Sequence, residues 1–87
     1  MKSEHIQEFC SVVRFRNFTK AADYMFISQS ALSRHIADLE NDLGVTLLDR
    51  SDRTVTLTEA GSVFYEHACK ILKELDDAEA SMRQFYT

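Results

Sequence analysis

From Ile27 to Ala37 the only fully charged side chain is Arg34, and it stands among Ser28, Gln29, Ser30 and Ser33. The stretch offers hydrogen-bond donors and acceptors, one cation and no carboxylate. That is surface chemistry for a polyanion, because phosphates approach where like charge is absent. It is not catalytic chemistry. Ser33 and His35 point in different directions if they lie on a helix, no nucleophile has a base at a recognisable spacing, and there is no glycine-rich phosphate loop. The chain is therefore not expected to be an enzyme or to carry a cofactor. Cys10 and Cys69 lie far apart, with no Cys-x-x-Cys pair and no histidine at ligand spacing, so they read as core thiols and not as a disulfide framework or zinc site. His5, His35 and His67 read as ordinary helix residues, and no metal is expected.

The elements that must position the polar stretch follow from periodicity. Ile6, Phe9, Cys10 and Val13 recur at helical spacing after Ser3, a candidate N-cap, and this first helix should end near 14–16. Asn17 or Thr19 can cap a short second helix over Lys20 to Met25, in which Ala21 and Ala22 permit close approach. Ser28 can accept from the amide of Ser30 or Ala31 to open a third helix with the apolar stripe Leu32, Ile36, Leu39 and Leu43, stopped by Gly44. At 100° per residue that stripe leaves Ser30, Ser33, Arg34, Ala37 and Asn41 outside, with Gln29 at the flank. Val45 to Arg50 and Thr54 to Leu57 are β-prone runs around Ser51, Asp52 and Arg53, which is the pattern of a small hairpin with a basic tip. Thr58 can cap a final helix reaching about Tyr86, roughly 40 Å long.

That final helix carries an unbroken alternation of four- and three-residue steps: Leu57, Gly61, Phe64, Ala68, Ile71, Leu75, Ala78, Met82 and Phe85. Such a seam belongs to a coiled-coil-like contact. A domain this small cannot cover all of it: packing on its own core accounts for the part up to about Ala68, and Ile71 to Phe85 remain without neighbours. The expected homodimer interface is Phe64, Ala68, Ile71, Leu75, Ala78, Met82 and Phe85.

Eighty-seven residues allow one small domain, and no proline, two glycines and no Ser- or Gly-rich run argue for ordered, mostly helical structure. Neither a signal peptide nor a membrane span is expected, which places the chain in the cytoplasm. The net charge of −4 opposes nucleic-acid binding taken as a sum. Its distribution does not, because residues 1–57 carry seven Lys or Arg against eight Asp or Glu, whereas residues 58–87 carry three against six.

Short helix, turn, capped helix with a non-acidic outer face, then an arginine-bearing hairpin is the order of a winged helix-turn-helix. Five sequence blocks fill it: Asn17-Phe18-Thr19-Lys20-Ala21-Ala22; Ile27-Ser28-Gln29-Ser30-Ala31-Leu32-Ser33-Arg34; Leu39-Glu40; Leu43-Gly44-Val45; and Leu57-Thr58-Glu59-Ala60-Gly61. Over nearly the whole chain these resemble the N-terminal domain of LysR-type transcriptional regulators. Two positions depart from that pattern: Ser30 stands where proline is common, and Leu48 where phenylalanine is usual before the wing arginine. The resemblance implies a mainly α fold, three helices and a two-stranded wing over 1–58, with a linker and dimerisation helix over 59–87. It further implies a dimeric reader of imperfect palindromic, A/T-rich double-stranded DNA. The family's separate effector-binding domain is absent here, so an excised fragment without a small-molecule site is expected, a naturally short protein being the alternative.

With the resemblance, the wheel gives residues their expected roles. Gln29, Ser33 and Arg34 would enter the major groove, where Gln suits adenine and Arg suits guanine or a phosphate. Thr19, Ser28 and Ser30, with the helix N-terminal amides, would hold phosphates. Arg53 and Arg50 would approach the minor groove; Arg50 can equally pair with Asp49 or Glu59. A solvated surface charge is the alternative for Arg34, and a protein-interaction module is the alternative for the chain.

Overall fold

The computed structural model describes residues 1–86. Four α-helices surround a single core: α1 (Ser3–Phe15), α2 (Phe18–Met25), α3 (Gln29–Leu43) and α4 (Glu59–Met82). Between α3 and α4 lies a two-stranded antiparallel hairpin, β1 (Leu48–Asp49) and β2 (Thr56–Leu57), with Leu48 opposite Leu57 and Asp49 opposite Thr56. This is the expected winged helix-turn-helix with a long terminal helix. No helix among the described residues is long and apolar enough to cross a membrane.

Local chemistry sets most of the boundaries. Asn17 accepts from the amide of Lys20 at 2.8 Å and so starts α2 at Phe18, two residues before the expected position, which puts Thr19 in the first turn. Ser28 accepts from Ala31 at 3.1 Å, and Gly44 takes the left-handed conformation at φ 73°, its amide returning to Glu40. Thr58 accepts from Gly61 at 2.9 Å to open α4. Ser3 is not a cap. It is the first helical residue of α1, and the Lys2 carbonyl, accepting from His5 and Ile6, closes that end. Phe26 is left-handed at φ 59° in the turn between α2 and α3 and is 94% exposed, a conformation that glycine or asparagine adopts more readily.

The strands are shorter than the β-prone runs, and the hydrogen bonds explain why. The Glu40 carboxylate on α3 accepts from the amides of Leu47 at 2.7 Å and Leu48 at 3.3 Å. Val55 donates to Arg16 and Thr58 to Leu47 outside the ladder. These donors are committed to α3 and to the chain around the hairpin, so little remains for strand pairing. In exchange the wing is tied directly to α3.

The core is built from Phe9 and Val12 of α1, Ala21 and Ala22 of α2, Leu32, Ile36 and Leu39 of α3, Leu47, and Ala68 of α4. Phe9 meets the rings of Phe64 and Tyr65 edge-on, with centroids 5.4 and 6.3 Å away. Gly61 lets α4 lie directly on the hairpin base, because a Cβ there would run into the Leu47 carbonyl. The α-helix ends at Met82, followed by a 3-10 turn over Arg83–Phe85, so α4 is about 36 Å long instead of the expected 40 Å. The last residue of the expected helical region 59–87, Thr87, lies outside the described residues.

Three expectations about packing need correction. Ala68 is fully buried against its own domain, so it is not available to a partner, and Phe64, half-buried against Phe9, is largely spent in the same way. The first turns of α4 therefore pack on the same core as α1, α2 and α3. Nor are both cysteines core thiols: Cys10 is half-buried and Cys69 is exposed.

Candidate nucleic-acid interface

The candidate surface is the N-terminal half of α3 together with the start of α2 and the wing. The first amides of a helix have no intrahelical partner; on α3 the Ser28 hydroxyl takes that of Ala31. Beside them the Ser28 and Ser30 hydroxyls lie 3.3 Å apart. Ser30 itself gives this helix start one hydroxyl and one amide donor. Across the turn, Thr19 Oγ1 donates to Gln29 Oε1 at 3.0 Å, which ties the first turn of α2 to that of α3. With its carbonyl accepting this bond, exposed Gln29 is left with its amide N–H groups to donate elsewhere.

Thr19, Ser28, Gln29, Ser30 and Arg34 are exposed, and Ser33 is half-buried on the same helix. Among the described residues no carboxylate forms an ion pair with Arg34 or Arg53. Arg53 sits in the segment between the strands and is exposed. Arg50 has a partner that neither alternative named. Its guanidinium lies 4.0 Å over the ring of Phe18, a cation–π contact between wing and α2, and it pairs with neither Asp49 nor Glu59. Asp49 instead accepts from the Ser51 amide at 2.9 Å, and bonding to Ser51 lowers the pKa of its carboxyl group.

Behind α3 is a cluster that residue spacing did not reveal. The Glu8 carboxylate of α1, 5% exposed, meets His35 Nδ1 of α3 at 2.6 Å. The His35 ring stacks on His5 with centroids 4.7 Å apart. The spacing of His5 and Glu8 on α1 was visible, but nothing in the sequence says which residue of α3 they meet. The cluster fixes α3 from its rear, opposite the polar face.

The expected dimer residues separate into two sets. Phe64 and Ala68 belong to the core, while Ile71 and Leu75 are 38% and 39% exposed, Met82 60% and Phe85 69%. Ala78 is exposed between them. Near the base of this exposed row an open apolar hollow of about 880 Å³ is lined by Leu43, Val45, Leu47, Val63, Phe64 and His67.

The family model described as "Bacterial regulatory helix-turn-helix protein, lysR family" matches residues 3–62. The transcriptional regulator BenM of Acinetobacter baylyi is 45% identical over 76 residues, covering 87% of this chain and 25% of BenM. The regulator BudR of Klebsiella aerogenes is 47% identical over 78 residues, covering 90% of this chain and 54% of BudR. The chain thus spans a quarter to a half of these relatives. Among solved structures, the BenM DNA-binding domain in complex with catB site 1 DNA superposes with a TM-score of 0.96 at 39% identity, over 100% of this chain and 98% of that one. The CbnR DNA-binding domain–DNA complex gives 0.92 at 34% identity, with both chains fully covered. Full-length BenM gives 0.88 at 43% identity, covering 97% of this chain and 27% of BenM. The chain belongs to the LysR family of bacterial regulatory helix-turn-helix proteins.

Proposed function

We propose that this chain is the sequence-reading, dimerising part of a LysR-type transcription regulator working in the cytoplasm, without catalytic activity of its own. The observation that carries this reading is the carboxylate-free start of α3, with Gln29, Ser30 and Arg34 exposed, Ser33 half-buried beside them, and no ion pair to Arg34 among the described residues. The close match to domains solved on DNA supports it. In this reading α3 enters the major groove, where Gln29, Ser33 and Arg34 meet base edges. Ser28, Ser30 and the free helix amides, that of Thr19 in the first turn of α2 among them, hold phosphates and fix the register. Arg53 reaches the minor groove from the wing. Arg50, stacked on Phe18, steadies the wing against α2 and meets DNA only through the backbone beside it.

The partner is a second copy of the chain. The exposed row Ile71, Leu75, Ala78, Met82 and Phe85 is too long for one protomer to cover, and it continues into the apolar hollow beside Val63. We divide the chain into a reading head that includes the first turns of α4 and a linker helix beyond it. Selection of bound duplexes from a random pool at near-physiological salt, followed by sequencing, tests the proposal. Enrichment of a two-fold symmetric, A/T-rich site supports a dimeric reader. No enrichment by a folded, dimeric sample overturns it and favours a protein-interaction role.

A further inference from the structure

We propose that Cys10 and Cys69 form an oxidisable thiol pair, with a hydroperoxide as substrate, that closes an intrachain disulfide between α1 and α4. The two residues are 59 positions apart in sequence, but the fold brings their helices together. Phe9 packs on Phe64 and Tyr65, and Ala68 is fully buried in the same core. Cys10 lines one cleft with Tyr65, and Cys69, one helical turn after Tyr65 on α4, neighbours both of them. An open cleft of about 580 Å³ runs along the joint, lined by Gln7, Cys10 and Arg14 on one side and Tyr65 and Leu72 on the other. Cys69, Cys10 and Arg14 are all neighbours of the Tyr65 hydroxyl. At 100° per residue Cys69 lies on α4 roughly opposite the line of Ile71, Ala78 and Phe85. Exposed Cys69 therefore faces away from that line, while Leu75 of the same exposed row borders the cleft that holds Cys10.

The two thiols divide the work by exposure. Exposed Cys69 attacks hydrogen peroxide; its sulfur gains an oxygen as the O–O bond breaks, and the first water leaves with the thiol proton. The Cys10 sulfur then attacks the Cys69 sulfenic acid, forming the S–S bond and breaking S–O, and the second water carries away the Cys10 proton. Two sulfurs are oxidised and one peroxide is reduced by two electrons. Burial, and then the neighbouring Cys69, push the Cys10 thiol up to about 12. Held as the thiol, Cys10 is a poor first nucleophile and a slow second one, so its resolving step quickens with pH. The product ties the long helix to the head and fixes the angle at which α4 leaves it.

The 87-residue chain is treated with hydrogen peroxide, and free thiols, intact mass, proteolytic peptides and thermal midpoint are measured. The expected result is joint loss of both thiols, a mass lower by two hydrogens, a peptide linking Cys10 to Cys69, and a midpoint raised on the order of 10 °C and reversed by dithiothreitol. Cys69→Ser should leave Cys10 unoxidised, and Cys10→Ser should stop at a Cys69 sulfenic acid. A Cys69–Cys69 link between chains, or Cys69 oxidised to sulfinic acid while Cys10 stays free in the wild-type fold, overturns the proposal. Neither outcome depends on DNA binding.

Discussion

Glu40 is the side chain through which α3 holds the wing, and replacing it with alanine isolates that connection. Its Oε2 accepts from Leu47 at 2.7 Å and from Leu48 at 3.3 Å, and both residues are buried. Removing the acceptor leaves two backbone donors without a partner in a region that water enters poorly. A buried donor left unsatisfied costs about 1–3 kcal/mol. The short bond should count fully and the long one less, giving about 2–4 kcal/mol for Glu40→Ala. A chain of this size has a total stability on the order of 4–13 kcal/mol, so the loss is a large fraction of it. The midpoint should fall on the order of 10–30 °C. Glu40→Gln keeps an acceptor but loses its charge, and should cost about half as much. Urea unfolding at a fixed protein concentration is the assay, because dimerisation otherwise enters the apparent stability. A Glu40→Ala protein within about 0.5 kcal/mol of wild type, with an unchanged denaturant slope, would refute the argument. It would mean that water or a strand neighbour satisfies both amides once the carboxylate is gone.

Four further outcomes are expected. Gly61→Ala should destabilise by about 1–3 kcal/mol in thermal or urea unfolding, despite alanine's better helix propensity, because the added carbon meets the Leu47 carbonyl and not a flexible side chain. Glu8→Ala should cost about 1–3 kcal/mol, and a double-mutant cycle with His35→Ala should show coupling on the order of 1 kcal/mol. Arg34→Ala should weaken binding to the selected site by about 1–3 kcal/mol in a titration at fixed salt while non-specific binding changes little. With the folded Cys10 thiol raised to about 12 against an ordinary 9.0, its contribution to stability is complete below pH 9. It should be lost as pH rises from 9 to 12, because there the unfolded chain releases the proton and the folded chain does not. Urea titrations against pH on wild type and Cys10→Ser would separate this loss from that of other groups.

The elements legible in the sequence were those whose ends are set by a local hydrogen bond. Ser28, Thr58 and Gly44 act through residues three or four positions away, so their side chains or backbone freedom suffice to place a boundary. Ser3 misled because a backbone carbonyl can close a helix as well as a hydroxyl can. The polar face of α3 was legible for a related reason: burying Leu32, Ile36 and Leu39 fixes the orientation of every other residue on that helix. What could not be read depends on which element meets which. The Glu8–His35 pair spans 27 residues, Arg50 stacks on a ring 32 positions earlier, and Cys69 meets Cys10 across most of the chain. The seam of α4 misled in part because periodicity identifies an apolar line but not its occupant. The first turns of that line cover the chain's own core, and the later ones do not.

Taken together, the contacts of α3 are strongly unequal on its two sides. Its rear and far end carry the connections that cost most to break: three fully buried aliphatic side chains, the Glu8–His35 pair and the Glu40 link to the wing. Among the described residues its front has surface hydrogen bonds linking Thr19, Ser28, Gln29 and Ser30, together with an arginine that has no acidic partner there. Substitutions on the front should therefore change what α3 recognises at little cost in stability, whereas those behind it should unfold the head before they alter recognition. The Thr19–Gln29 bond makes the distinction sharp. Thr19→Val removes a bond between two exposed residues, so unfolding should be unchanged within about 0.5 kcal/mol. It also releases the Gln29 carbonyl, and a free carboxamide can both accept from and donate to adenine, whereas the held one offers donors that suit the acceptor edge of guanine. Selected sites should then shift toward adenine at the base facing Gln29, and Thr19→Ser should restore the original preference. An identical site from all three proteins would show that the bond is not kept on DNA and that Gln29 is positioned by the helix alone.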